Sequence, residues 1–324
     1  MTRTPHVMAF LASLATGLAS APLAAVAQAG KAPVETPIPK VVERSRLDVA
    51  PSQTPFLNLS VDNPLGDVRI EGHDGSSVMI ETHKSAPDDS TMDRLRVSLV
   101  PGLDGSLRLG TAVDPGVDSR SVAKSAMRID LVIRAPRDLR FTARVGSGQL
   151  EVSGMDAGGE ADATSGPISL RNISGAVNAR SISGPVTLTE IFGSIDAELV
   201  DAALRLDTVA GDSLVASAHR GAISGRRVRA RRIELMTTSG DVELEGELAL
   251  RGKLLISSLH GNITVRVRGR GQLSVRARGK QVDLGTTKTK LVKGVTLAEL
   301  GSGDDRSSVD LRSRHGAIAF AVNW

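Results

Sequence analysis

A six-residue signature recurs through the second half of this chain at almost constant spacing. It reads small polar residue, Gly, any residue, Ile or Val (once Leu), any residue, Leu or Val. Copies are Ser147-Gly148-Gln149-Leu150-Glu151-Val152, Ser165-Gly166-Pro167-Ile168-Ser169-Leu170, Ser183-Gly184-Pro185-Val186-Thr187-Leu188 and Ser239-Gly240-Asp241-Val242-Glu243-Leu244. Related copies begin at His260-Gly261 and His315-Gly316, and Arg220-Gly221-Ala222-Ile223 is a partial one. The marker glycines fall into two regular runs, Gly148, Gly166 and Gly184, then Gly221, Gly240 and Gly261. The doubled gap between Gly184 and Gly221 places a missing marker near Asp201, and the long gap from Gly261 to Gly316 leaves room for about three units. A fixed period near 20 makes each unit a supersecondary repeat that cannot bury its apolar face alone and must stack on its neighbours.

Within a unit, one strand enters the Ser-Gly turn and one leaves. Incoming segments are Phe141–Val145, Val177–Ser181, Ile233–Thr237 and Leu254–Ser258. The marker glycine is expected to supply the positive φ of a sharp turn. Pro167 and Pro185 open the outgoing strand, where a missing N–H is best tolerated. A meander of hairpins would show the same alternation, but hairpins tend to vary their turn types. The constant glycine favours an all-β stack of the β-solenoid or β-helix kind over residues 141–324, about nine units of roughly 18–21 residues. With no Tyr, one Trp and five Phe, its core must be built from Val, Leu, Ile and Ala.

Residues 46–140 form a less regular β region, with strands expected at Phe56–Val61, Asp67–Glu71, Val78–His83, Leu95–Val100, Ser106–Leu109 and Met127–Arg134. Residues 114–125 read as an exposed loop, and the Pro-rich stretch 30–45 as an extended linker. Residues 1–29 read as a secretory signal peptide: Arg3, an apolar run from Met8 to Leu18, and an Ala27-Gln28-Ala29 cleavage site. The expectation is therefore an exported protein, periplasmic, surface-bound or secreted. The chain has no Cys, which removes both disulfides and a lipidated cysteine. No other segment approaches the roughly 20 apolar residues of a membrane helix.

The stretch from Val61 (VDNPLGDVRIEG), the Ala135-Pro136-Arg137 step and the serial SGxIxL turns resemble the DUF4097 family, an adhesin-type group of exported bacterial β-repeat proteins. The resemblance covers roughly residues 55–324. It implies a right-handed β-helix-like stack and an adhesin-like role, and it brings no catalytic motif.

Charge is unevenly placed. From His219 onward there are 20 Lys/Arg against 10 Asp/Glu, while residues 30–218 carry 19 against 26. Arg266, Arg268 and Arg270 alternate, as do Arg276 and Arg278, and strand alternation would put each set on one face. Arg226, Arg227, Arg229, Arg231 and Arg232 form a further cluster, joined by Lys288, Lys290 and Lys293. One reading is a solvated outer face. The other is a basic strip for a polyanion such as surface polysaccharide, lipid phosphate or extracellular DNA. No aromatic residues interleave, which argues against specific nucleic-acid recognition by base stacking.

Nothing in the chain reads as a catalytic or cofactor site. The six histidines form no H-x-x-x-H pair, although His219, His260 and His315 lie near marker glycines and could align on one edge. Asp88-Asp89 and Asp304-Asp305 sit in polar loops. A solenoid-class carbohydrate-active enzyme would need a carboxylate cluster, usually with sugar-stacking aromatics. The expected function is a non-catalytic adhesin-like or envelope-associated binding protein, with no cofactor or metal, contacting an anionic polysaccharide or an envelope protein. The alternatives are that enzyme class and a structural scaffold. Ile318, Phe320, Val322 and Trp324 alternate like the closing strand of an outer-membrane barrel, but the missing aromatic girdle favours a capping strand.

Overall fold

Alternation of apolar and polar residues becomes alternation of burial wherever the chain is extended. The computed structural model describes residues 41–51, 55–114, 127–286 and 288–324, all within one compact unit, Pro37–Trp324. The expected signal peptide, most of the Pro-rich segment and all but the first residue of the 114–125 loop lie outside the described residues. The architecture is all-β, with one four-residue helix among the described residues.

The first region holds β1 (Val41–Val49), β2 (Asn58–Asn63), β3 (Val68–His73), β4 (Val78–Ala86), α1 (Asp89–Met92), β5 (Leu95–Pro101), β6 (Ser106–Val113) and β7 (Arg128–Pro136). Next come β8 (Arg140–Val145), β9 (Leu150–Met155), β10 (Gly159–Ala163), β11 (Ile168–Ser174), β12 (Val177–Ser181), β13 (Val186–Phe192) and β14 (Ile195–Leu199). Three long strands follow: β15 (Leu204–Arg220), β16 (Ile223–Ser239) and β17 (Val242–Ser258). The chain ends with β18 (Ile263–Arg268), β19 (Gln272–Arg278), β20 (Gln281–Asp283), β21 (Lys290–Val292), β22 (Val295–Leu300), β23 (Arg306–Ser313) and β24 (Ala317–Asn323). β1 begins inside the stretch read as linker, because its backbone pairs antiparallel with β4 from Val41↔Ala86 to Val49↔Val78.

The strands sort into two parallel ladders. In one, Leu150, Ile168, Val186, Leu204, Ile223, Val242, Ile263 and Ile318 stand side by side on successive strands. In the other, Ala143, Ala161, Ala179, Ala197 and Ala216 do so. Each partner lies one repeat further along the chain, at the spacing of the marker glycines. The exception is Ile263↔Ile318, which spans the same long gap as Gly261 and Gly316. A strand of each ladder joined by a glycine turn makes one rung. These inward residues are almost fully buried. Each buried aliphatic side chain contributes about 1.5–3 kcal/mol by leaving water. The alanine column brings the backbone close there, which explains how a core forms with so few aromatics.

The marker glycines serve a different purpose from the one expected. Gly148, Gly166, Gly184, Gly221, Gly240, Gly261 and Gly316 do not have positive φ. Each stacks on the turn of the neighbouring rung, where an added Cβ would overlap a backbone carbonyl oxygen. The need is close approach, not handedness. The missing marker is Ala202, which register places between Gly184 and Gly221.

Positive φ is found instead within the strands that leave the marker turns. Gly154, Asn172, Glu190, Thr208 and Arg227 are left-handed at φ 71, 51, 57, 56 and 52°. They form a column that advances with the repeat, one bulged residue per rung. The ladder passes over them, pairing Arg171↔Thr189 and then Ile173↔Ile191.

Rung order departs from chain order at both ends. β2 and β3 lie between β6–β7 and β8–β9, so the later rung is outermost. Buried Asn63 ties the two together, donating to the Ile129 carbonyl (2.8 Å) and accepting from Thr111 (2.6 Å). At the far end β23 and β24 insert between the β17–β18 rung and the β19–β20 rung. The interval from Gly261 to Gly316 therefore holds one extra rung and the β21–β22 hairpin, not three units. β24 is not the cap: β20 covers its first three residues. Antiparallel strands close three of the four ladder ends, β4 and β1 on β7, β5 on β6, and β22 and β21 on β19. β1 is exposed and carries Glu43, Arg44, Arg46 and Asp48, charges that discourage edge-to-edge pairing.

Candidate ligand-binding surface

Outward strand positions are filled by charge, and rung register decides which charges meet. In the first half the signs alternate. Asp62, Arg144, Asp162, Arg180 and Glu198 are successive partners, with Arg144–Asp162 at 3.2 Å and Arg180–Glu198 at 3.1 Å. The Arg220–Asp201 pair is bidentate, with Nε to Oδ1 at 2.6 Å.

The ten arginines singled out by sequence are all exposed, but they do not form one strip. Arg227, Arg229, Arg266 and Arg268 line a groove of about 410 Å³ on the first ladder, together with Glu245 and Glu247. Register sets Glu247 between Arg229 and Arg268, and pairs Glu245 with Arg266, so the groove is of mixed sign. Arg226 and Arg227 both face solvent because the left-handed bulge falls on Arg227, which pairs with Asp207 and donates to Thr208 (2.9 Å). Arg231 and Arg232 lie past the bend, with Arg232 on Glu234 at 2.9 Å. Arg270 lies beyond the end of β18, so it does not continue the Arg266–Arg268 alternation; it reaches Glu247 at 3.1 Å. Arg276 and Arg278 are on β19, in the second ladder. Arg227, Arg232 and Arg270 are ion-paired, and the other seven make no ion pair among the described residues.

The guanidinium of Arg232 holds the Glu234 carboxyl below its ordinary value of 4.5, and that of Arg220 holds Asp201 below 3.8. A carboxylate depressed in the folded state contributes stability that is present above its unfolded value and is lost as pH falls through the folded one. In Arg232→Gln, NMR titration of Glu234 should move up toward about 4.5. An unmoved midpoint would contradict this pairing.

His260 and His315 stack face to face, centroids 4.9 Å apart and planes at 12°. His219 falls one position earlier in its turn, so Arg220 occupies that row instead. No group of three or more His, Asp or Glu able to hold a metal is present among the described residues. Asp88 accepts from the Thr91 amide at the start of α1 (2.8 Å), and Asp305 binds Arg251 (2.7 Å). Among the described residues no helix is long and apolar enough to cross a membrane.

A feature not anticipated from sequence lies at the second ladder's C-terminal end. Arg278, Lys280, Arg312, Arg314 and His315 line an open groove of about 970 Å³ with Thr237, Ser257 and Ser258, and among the described residues no carboxylate lines it. Lys280 and Arg314 continue the spacing of Arg276–Arg278 and of Arg312, but both fall in turns just past the ends of β19 and β23, where strand alternation no longer says which way a side chain faces.

No protein-family model matches the chain. No curated protein matches it either. Solved structures overlap most of it. One, described as a putative cell adhesion protein from Clostridium sporogenes, is 12% identical, with 87% of this chain and 100% of that one covered and a TM-score of 0.29. A putative lipid binding protein from Parabacteroides distasonis is 12% identical, with 85% and 96% covered and a TM-score of 0.47. A putative adhesin from Bacteroides fragilis is 12% identical, with 86% and 97% covered and a TM-score of 0.40.

Proposed function

We propose that this chain is an exported, right-handed β-solenoid of the DUF4097 type that acts as a non-catalytic, adhesin-like envelope protein and contacts anionic polymer through its basic C-terminal half. The solenoid reading is supported by the parallel pairing, in two ladders, of strands that lie one repeat apart in the chain. Export and the adhesin-like role rest on the N-terminal segment and the family resemblance. The observation that carries the binding reading is the contrast in charge pairing. Most described arginines before His219 meet a carboxylate, Arg144 and Arg180 in neighbouring rungs, although Arg44, Arg94, Arg108, Arg171 and Arg205 do not, whereas seven of the ten arginines singled out beyond it have none. Unpaired surface cations attract polyanions and release their counterions, which makes the binding weaken as salt rises.

The test is retention on immobilised dextran sulfate, with uncharged dextran as control. The wild type should be held at low salt and released as salt increases. Arg229→Glu, Arg266→Glu and Arg268→Glu combined should elute at clearly lower salt, with about tenfold weaker binding near 0.1 M salt. A wild type that passes through unretained would overturn this function.

A further inference from the structure

The carboxylate-free groove at the C-terminal end has a cause in the chain path. Register pairs Arg278 with Arg312 and Gln281 with Ala317. The outermost rung thus crosses its turn with only Gly279 and Lys280, where the rung beneath uses the longer stretch from Ser313 to Gly316. The shorter turn retreats and leaves the Arg314-His315 turn uncovered. The same column continues through Ser257, so three rungs contribute side chains to one hollow. The tip of the β21–β22 hairpin, at Gly294, closes one side.

Three of its four Lys and Arg cations are free to bind. Arg312 is spoken for, with a two-pronged contact to Asp310 at 2.9 and 2.6 Å. Arg278, Lys280 and Arg314 are exposed and have no ion pair among the described residues. Ser258 and Ser313 are engaged in the turns: each accepts from the amide of its marker glycine, at 2.8 and 2.9 Å. They fix the frame while the three cations and the Ser257 hydroxyl face the opening.

We infer that this groove is a subsite for a sulfate or phosphate ester carried on a polysaccharide, bound by Arg278, Lys280 and Arg314. This rests on the polyanion-binding reading above and localises it. Three cations, one at the end of β19 and two in the adjacent turns, suit a tetrahedral oxyanion with several acceptor oxygens, and arginine supplies paired donors to it. Among the described residues the groove has no aromatic residue on which a nucleic-acid base could stack other than His315, whose ring is already stacked on His260. A recessed hollow also fits a protruding ester better than a flat bilayer.

The experiment compares two variants of equal charge, Lys280→Gln/Arg314→Gln in the groove and Arg229→Gln/Arg268→Gln on the first ladder. Binding of dextran sulfate is measured by calorimetry near 0.1 M salt, after circular dichroism shows that both variants fold. The groove pair should lose about tenfold in affinity and the other pair less than about threefold, the difference expected of a converging site over a diffuse face. Equal losses from both pairs, with the wild type still binding, would overturn the subsite and leave the general basic face standing. Tighter wild-type binding to single-stranded DNA than to dextran sulfate of equal charge would overturn the polysaccharide assignment. A wild type that ignores dextran sulfate would remove the underlying function as well.

Discussion

Replacing Gly166 with valine is expected to cost about 3 kcal/mol or more and to leave much of the protein unfolded at about 37 °C. The Cβ alone would overlap the Gly148 carbonyl oxygen in the next rung, and a branched side chain has no other way to point. The obstacle is backbone, and the two turns are tied to each other: the Ser165 amide donates to the Gly146 carbonyl at 3.0 Å. Relief therefore means separating two rungs and losing ladder bonds on both sides. Ala202→Gly is the matching control. Its rung already admits a methyl group in the same column, so the change should stay within about 1 kcal/mol. Urea denaturation followed by circular dichroism reads both variants. A Gly166→Val protein as stable as the wild type would show that rungs are not stacked turn on turn.

Phe141→Ala should destabilise by about 3–5 kcal/mol, the usual cost of emptying a large buried aromatic site. Phe141 is fully buried and sits beside Gly159 in the next strand of the second ladder. A Cβ on Gly159 would come within 2.6 Å of the Phe141 ring. The ring therefore fills the space that Gly159 leaves empty, in a ladder otherwise narrowed by its alanine column. A loss below about 1 kcal/mol in denaturation would contradict this packing.

Much of this architecture is legible in the sequence because stacking imposes a repeated demand. A glycine once per repeat and Ile-x-Leu alternation after it record where turns touch and which side chains face inward. Asn172, Glu190, Thr208 and Arg227 were not legible, since a left-handed bulge pinned by its neighbours accepts residues with no shared side-chain type. Rung order was not legible either. β18 carries apolar faces that would suit several partners, and nothing local shows that it pairs with β24. That hidden order also concealed the candidate surface. Arg229 and Arg268 look like parts of one basic strip until register sets Glu247 between them. Lys280 and Arg314, each two residues past an arginine, lie far apart in the chain until it doubles back and brings them to one groove.

Cross-linking is the most direct test, and the absence of native cysteine makes it clean. Ser257 and Arg312 are partners on adjacent strands, whereas Ser257 and Arg278 are two strands apart. Adjacent strands lie about 4.8 Å apart, within disulfide range, and two strands span roughly twice that, beyond it. Under mild oxidation the Ser257→Cys/Arg312→Cys protein should form an intramolecular disulfide, and the Ser257→Cys/Arg278→Cys protein should keep free thiols. The reverse outcome would mean that the rungs follow chain order, and would contradict both the fold and the groove built on it.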